Sequence, residues 1–429
     1  MTGAKRVFGV AILLLAAVPL AAQAPEGWTL ARLLEHARAN EPSIRAARLD
    51  TQAMEAEAKQ ASLWANPRIG FEHRQEPGGM DRQTMATAEF PLQLFRRGPR
   101  AAAANASVAV VGAMAEDRER MLLLDVHMAY SNYLGAARRL TVLDRLAVQA
   151  RNTLSLLESR VAAGAIPRLE RDQASIEVTR IDASRAAVVG ARDRALVELR
   201  RSIGLPAGTP MVVSDTLDTS IPWAEIDVAL QGTMHAAAVT DRPDVRAAEA
   251  QVVVETTRRD QAKSEGKFDL SVYGGYMRMR SGFPQMGLSS DGSPVPIEGT
   301  FHNVVAGAMI DLPLFNRNQG TVAAAEIRTT SAQQQVEARK LAVAAEIDGA
   351  IARLRAAVAV ARTFTTQSRD VARQNVDVVR EAHALGRHTL LEVVMEQQRY
   401  LEVEMAYTEA LMEVLDAHAA WQSAVGRHQ

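Results

Sequence analysis

The chain has 429 residues, 23% of them charged but with a formal net charge of only −1, 4% aromatic residues and no cysteine. That charge balance gives no electrostatic case for binding nucleic acid, and the missing cysteines exclude disulfides, thiolate metal sites, thiol catalysis and lipidation on an N-terminal cysteine. The length allows two or three globular domains, yet an alanine-rich, aromatic-poor composition suits long helices packed through small residues.

Residues 1–24 carry Lys5 and Arg6, an apolar run from Val7 to Ala22, and the ending Ala22-Gln23-Ala24, the pattern of a secretory signal peptide. The run is short for a spanning helix, and no later stretch approaches the length of one. Any membrane contact of the mature chain is therefore expected through strands.

Residues 25–206 read as a first structural repeat. Trp28 to Ser62 has helical periodicity, with Thr29 as N-cap and a break at Pro42. Alternation predicts strands at 68–75 and 82–92 around the turn Glu76-Pro77-Gly78-Gly79. A proline-free helix is expected over 100–163, then the tight turn Gly164-Ala165-Ile166-Pro167 and a return helix over 168–203. Residues 207–226, with Pro210, Pro222 and Trp223, form a turn-rich linker.

The plan then recurs over 227–429. A helix is expected from Asp227 to Glu265, interrupted at Arg242-Pro243, followed by a strand at 268–279, a polar loop from Arg280 to Gly299 and a strand at 300–312. The stretch 321–385 contains no proline and reads as one helix of roughly 100 Å. Val336, Val343, Ala350, Ala357, Phe364, Val371, Val378 and Leu385 recur every seven positions, the period of a helix that supercoils against neighbours. A turn at Gly386 and a return helix over 390–425 complete the chain. Asp241-Arg242-Pro243 echoes Asn40-Glu41-Pro42, and Gly386, Leu391, Glu392 and Gly426 echo Gly164, Leu169, Glu170 and Gly204, so an internal duplication accounts for the whole order.

The expected fold is mainly α with a small β part. Four strands cannot close into a membrane barrel, which needs about eight or more, so several copies are expected to combine into a hollow conduit. A periplasmic coiled-coil adaptor or scaffold with two decorative hairpins is the alternative. No His-Glu-x-x-His, P-loop, nucleophile-elbow or dinucleotide fingerprint occurs, so an enzyme is not expected, and no cofactor or metal site is assigned.

With the duplicated plan, the two hairpins, the Gly-turn tips and the junctions Leu94-Phe95-Arg96-Arg97-Gly98 and Leu314-Phe315-Asn316-Arg317-Asn318-Gln319-Gly320, the mature chain resembles the TolC family of outer-membrane efflux channels. The resemblance implies a homotrimer with a 12-stranded β-barrel in outer-membrane lipid, continued by a periplasmic α-helical barrel. Its implied partners are a periplasmic adaptor (membrane fusion protein) and an inner-membrane RND-type transporter. The run Asn316 to Gly320 is similar to the heavy-metal, cobalt–zinc–cadmium branch, which implies divalent metal cargo; the same duct serving drugs stays open. Lacking cysteine, the chain is similar to the unlipidated members.

The resemblance places the periplasmic gate and adaptor-docking surface at the two tip turns. Arg160, Gly164, Leu169 and Glu170 match the pattern in the first tip, and Gly386, Leu391 and Glu392 match it in the second. Glu392 falls where the family places an inward acidic residue, a ring of three carboxylates under three-fold symmetry. A capping glutamate at a helix start is the other reading. His383 and His388 flank Gly386 and offer pH sensing or metal binding, against plain surface histidines, and His388 stands at a basic gating position of some relatives. Asn316, Arg317 and Gly320 at the strand-to-helix junction read as structural. Met277, Met279, Met286 and Met309 offer thioethers to soft metals, but are expected to face lipid or fill packing gaps. Tyr273 and Tyr276 are expected at a bilayer interface.

Overall fold

The computed structural model describes residues 27–232, 239–364 and 366–426, with the side chains of residues 284, 366 and 367 outside the description. The expected signal segment 1–24 lies outside the described residues.

In chain order the elements are α1 (Leu30–Asn40), α2 (Pro42–Ala61), β1 (Arg68–Gln75), β2 (Arg82–Pro91), α3 (Arg97–Ala162), α4 (Arg168–Ser202), α5 (Trp223–Gln231), α6 (Pro243–Glu265), β3 (Asp269–Leu288), β4 (Pro294–Asp311), α7 (Gln319–Thr363), α8 (Thr366–Ala384) and α9 (Leu390–Ala424). Thr29 caps α1 by accepting from Arg32 N, and Pro42 occupies the first turn of α2, where its missing N–H costs nothing. Helix α3 runs 66 residues. It approaches α9 closely at Gly135, where an added Cβ would stand 2.0 Å from Met412 Sδ.

The main core lies where the two halves meet. Leu33 and Leu34 of α1, Val126 and Tyr130 of α3, Leu199 of α4 and Ile226 of α5 pack with Leu354 of α7 and Val414 of α9. Tyr130 Oη donates to Asp215 Oδ2 at 2.7 Å and Leu30 N donates to the same oxygen at 3.1 Å, so residues 207–226 clasp the helices at this equator.

The four strands form one antiparallel sheet in the order β1-β2-β3-β4. Strands β2 and β3 pair from Arg82↔Arg280 to Pro91↔Ser271, although helices α3 to α6 separate them in sequence. Both outer strands keep one unpaired edge within the chain. One face carries Ile69, Phe71, Ala86, Phe90, Val272, Tyr276, Val304 and Ile310. The opposite face carries Glu72, Arg74, Gln83, Glu89, Tyr273 and Asn303. Odd-numbered residues of β2 and of β3 up to 281 are half-buried, while Ala86, Ala88, Phe90, Val272 and Tyr276 are exposed. The sheet therefore curls toward its polar face and leaves its apolar face convex.

The structure corrects several expectations. The single helix 321–385 is two helices, broken at Phe364 (φ −82°, ψ 68°). Thr363, Phe364, Thr365 and Thr366 are β-branched or aromatic, the residues that lose most rotamer freedom in a helix, and Phe364 packs instead on Tyr407 with ring centroids 6.0 Å apart. The break also shifts the buried seam. Val336, Val343 and Ala357 are buried as the heptad predicts, but below the break Val376 and His383 are buried while Val378 is 62% and Leu385 73% exposed. The polar loop expected over 280–299 is mostly strand: β3 continues to Leu288 and β4 starts at Pro294. Arg280 pairs with Glu298 across this extension, and a turn at Gly292 (φ +80°) closes it. Met277, Met279 and Met309 lie on the polar concave face rather than toward lipid, and so does Tyr273; Tyr276 alone of the two tyrosines is on the apolar face. The pleat's period of two decides this, because neighbours at odd spacing must point to opposite faces.

Candidate functional site

Two regions of the molecule carry the features a conduit needs: the sheet at one end and the helical tips at the other.

On the convex face of β3, apolar or small residues run from Leu270 to Tyr276, about 20 Å of strand, close to the apolar band of outer-membrane barrels, about 25 Å tall. Above that band the same face turns polar at Arg278 and His302, and His302 Nδ1 bonds Tyr276 Oη. No helix among the described residues is long and apolar enough to cross a membrane.

The two tips share their backbone. Ala165 N donates to Arg160 O at 2.9 Å with Gly164 at φ +71°, and Arg387 N donates to Ala382 O at 2.9 Å with Gly386 at φ +75°. Each is a helix ending of the Schellman type, in which a residue without Cβ takes the left-handed conformation. The side chains differ. In the second tip, Thr389 Oγ1 accepts from Glu392 N and Glu392 accepts from Thr389 N at 2.8 Å, a reciprocal capping box. Glu392 also meets His388 Nδ1 at 3.1 Å. The Thr389 N–H and then His388 hold its carboxyl below the usual range. The capping reading of Glu392 is therefore realised in the chain. Leu391 and Leu169 are exposed beside the turns.

The first tip has no such box: Pro167 stands at the N-cap of α4 and provides no side-chain cap. Glu170 Oε2 instead lies 3.9 Å from His383 Nε2, across the gap to the other hairpin. Arg160 Nη2 donates to Ala384 O at 2.5 Å, a second tie between hairpins. Burial lowers the His383 imidazole, with Glu170 pulling the other way, so His383 is a buried contact between hairpins and His388 the exposed one. Leu157, Ala174 and Leu390 form a small cluster beneath.

At the junction before α7, Asn318 rather than Asn316 or Arg317 bridges elements. It holds φ +59°, and its Nδ2 donates to Ala262 O at 2.9 Å. Asn316 Oδ1 accepts from Asn318 N at 3.0 Å. Gly266 admits the passing backbone, since a Cβ there would stand 2.3 Å from Arg317 O. Gly320 sits in the first turn of α7 with open space beside it. The matching junction before α3 uses arginines: Arg97 Nε donates to Ser62 O at 2.6 Å and Arg100 Nε to Ala61 O at 2.8 Å, satisfying the last carbonyls of α2.

A buried charge network lies between tip and equator. Glu404 on α9 accepts from Arg138 of α3 at 2.9 Å and from Arg369 of α8 at 3.0 Å. The two guanidinium groups also stand over the Tyr407 ring, at 4.9 and 4.0 Å from its centroid. Near the other end of the core, fully buried Arg242 pairs with Asp244 at 2.7 Å and Glu346 at 2.9 Å and donates to Ala424 O. No sequence motif announces these groups, because Arg138 and Glu404 are 266 positions apart. Among the described residues, no group of three His, Asp or Glu is placed to hold a metal ion.

Comparison with known proteins agrees with this geometry. The family model described as outer membrane efflux protein matches residues 33–205 and 236–427. The chain is similar in structure to CusC, with TM-score 0.73 and 16% identity over 95% of this chain and 96% of that one. A membrane protein from Pseudomonas aeruginosa gives TM-score 0.71 and 20% identity over 92% and 93%. The MtrE outer membrane channel of Neisseria gonorrhoeae, in its open state, gives 0.72 and 16% over 93% and 89%. At such identities the likeness speaks for the fold. No curated protein matches. Because the family model spans most of both repeats, the chain belongs to the outer membrane efflux protein family, the non-enzymatic channels of tripartite pumps that sit in the outer membrane and reach into the periplasm.

Proposed function

We propose that three copies of the chain close their sheets edge to edge into a 12-stranded barrel, with the helices continuing as a periplasmic tube. The duct passively releases cargo handed over by an inner-membrane transporter through a periplasmic adaptor. One observation carries this reading: a four-stranded sheet with an apolar convex face and two unpaired edges. Unpaired backbone groups cannot face lipid, and a β1 edge meeting the β4 edge of a neighbour removes both. The exposed Val371, Val378 and Leu385 add an apolar stripe with no partner in the lone chain, which suits a neighbouring protomer's helix.

Because the chain has no cysteine, cysteines introduced singly on β1 and β4 give an unambiguous test. Disulfide-linked trimers in outer-membrane fractions are expected for at least one β1–β4 pair. Monomers for every pair would refute the barrel.

Within this duct, Glu392, Glu170, His383 and His388 form the gate region, and the turns at Gly164 and Gly386, with Arg160, Leu169 and Leu391, form the adaptor-docking surface. The support is their clustering at one end of the helices and the ties that Arg160 and His383 make between hairpins. Divalent heavy metals are the proposed cargo, on the resemblance of Asn316 to Gly320. The backbone bonds at that junction favour a purely structural role for the motif and so leave drugs as the second reading. A deletion strain sensitive to metals alone supports the first; sensitivity to hydrophobic drugs overturns it.

A further inference from the structure

Strand register gathers a basic patch on the convex face that no single stretch of sequence displays. Counting in twos from Tyr276, that face carries Arg278 and then Arg280 on β3. The row of Arg278 continues through Thr84 and His73 on one side and His302 on the other. The row of Arg280 continues through Arg82 and Gln75 on one side and Thr300 on the other. The two rows lie about 7 and 13 Å along the strand beyond the apolar row of Tyr276. Both are at the end of the sheet away from the helices, beside the turn 76–81.

Arg82 faces Arg280 directly across β2 and β3, and like charges so placed repel. Arg280 has a carboxylate, Glu298. Among the described residues, Arg82 and Arg278 have no ion-pair or hydrogen-bond partner. The nearby acidic groups are engaged elsewhere. Asp81 accepts from Ser281 Oγ at 2.7 Å and from Gly282 N at 3.1 Å, and Glu76 folds over its own turn at Gly79. The concave face of the same sheet is built the other way: Arg74 pairs with Glu72 at 3.1 Å and Arg68 with Glu89 at 3.8 Å. All three convex arginines are exposed. An anion between them would remove the repulsion and engage donors that the chain leaves free.

We propose that Arg82, Arg278 and Arg280 form a site at the outer edge of the apolar band for the phosphorylated headgroup of a membrane lipid, whose chains lie along Ala86, Tyr276 and Val304 below. Arginine's planar fork matches phosphate bidentately, and its long stem carries the charge from an apolar surface to headgroup level. Arg82 and Arg278 stand on a diagonal, about 7–8 Å apart, so one headgroup spans both. Continuity of the patch with the apolar band selects a lipid over free phosphate. The inference rests on the duct reading, which puts the convex face in lipid and this end of the sheet outermost.

The test uses the full-length protein in detergent, with bound lipid counted by native mass spectrometry. The probes are a diphosphorylated glucosamine-disaccharide lipid (lipid A), the same glycolipid stripped of phosphate, and inorganic phosphate. Wild type is expected to hold the diphosphorylated lipid about tenfold more tightly than the stripped one. The variant R82Q/R278Q is expected to lose that preference, and the concave-face variant R68Q/R74Q to keep it. Equal retention of the two glycolipids by wild type overturns the site without recourse to any variant. So does a preference that survives in R82Q/R278Q or disappears in R68Q/R74Q. Displacement of the lipid by an equal concentration of inorganic phosphate assigns the arginines to the free anion and overturns the lipid. Planar-bilayer conductance of the same preparation separates this idea from the duct. A conducting trimer without the preference removes the site and leaves the duct; a protein that neither trimerises nor conducts removes the lipid-facing surface and the site together.

Discussion

Glu404, near the equator, is buried and bonded to two arginines from two other helices, whereas Glu392, twelve residues earlier on the same helix, stands in solvent and bonds its own helix start and His388. About 18 Å of helix separates them. The equatorial core joins helices from both repeats, with residues 207–226 wrapped around them. The tips have a three-residue buried cluster and two polar ties between hairpins. Local opening free energy follows buried contact density, so one helical frame contains a rigid waist and a loosely held end. That division suits the gate proposed at the tips.

The sharpest way to break the comparison is to remove each glutamate. Glu404→Ala takes the carboxylate from partly buried Arg369 and leaves buried Arg138 with Asp218 and Thr408 alone, and is expected to cost about 3 kcal/mol, seen as a large drop in the apparent Tm of the detergent-solubilised protein. Glu392→Ala should leave that Tm almost unchanged. Equal shifts in both would erase the distinction.

Next in size is Asp416, also on α9 in the equatorial region. Burial pushes its carboxyl up to about 6, and Oδ1 has no hydrogen-bond partner. Its folded value lies above the unfolded one, so the native state binds more protons between pH 4 and 6, and stability from this group falls as pH rises through that window. Asp416→Asn is therefore expected to stabilise the protein at pH 7 by up to about 3 kcal/mol, with the gain gone below pH 4. A gain independent of pH would contradict the assignment. Neighbouring His418 acts oppositely: burial pulls it down to about 4, and its contribution is lost as pH falls from 6.5 to 4.

At the tips, Gly164→Val and Gly386→Val each force a β-branched residue to positive φ, about 1–2 kcal/mol of local strain. The expected result is weaker adaptor cross-linking with little change in Tm; full cross-linking would show that the turns do not dock. The smallest effect is on conductance. Glu392→Ala is expected to raise leak or alter cation block more than Glu170→Ala. Identical single-channel records for wild type and both variants would refute an electrostatic role at the gate.

Much of the architecture was legible because its signals are local. Alternation marked the first hairpin, proline-free runs marked the long helices, and glycines at 164 and 386 marked turns that do take positive φ. The misses are equally physical. A helix that hydrophobic periodicity alone continues is broken at Phe364, and below the break the buried line runs through Val376 and His383 rather than Val378 and Leu385. Residues 280–299 are polar and rich in Gly, Ser and Pro, yet most pair as strand, because cross-strand bonds and the Arg280–Glu298 pair offset poor propensity.

The sequence by itself determined the element order, the duplication, the two glycine turns and the absence of any catalytic constellation, since period, capping and turn chemistry act over a few residues. Only the tertiary structure decided which face each strand residue takes, which charges are buried together, and how the tip glutamates divide their roles. Arg82 meets Arg280, Arg138 meets Glu404 and Glu170 reaches His383 across long stretches of chain. Those meetings depend on register and helix phase, and a shift of one or two residues in either would undo them without altering any local signal.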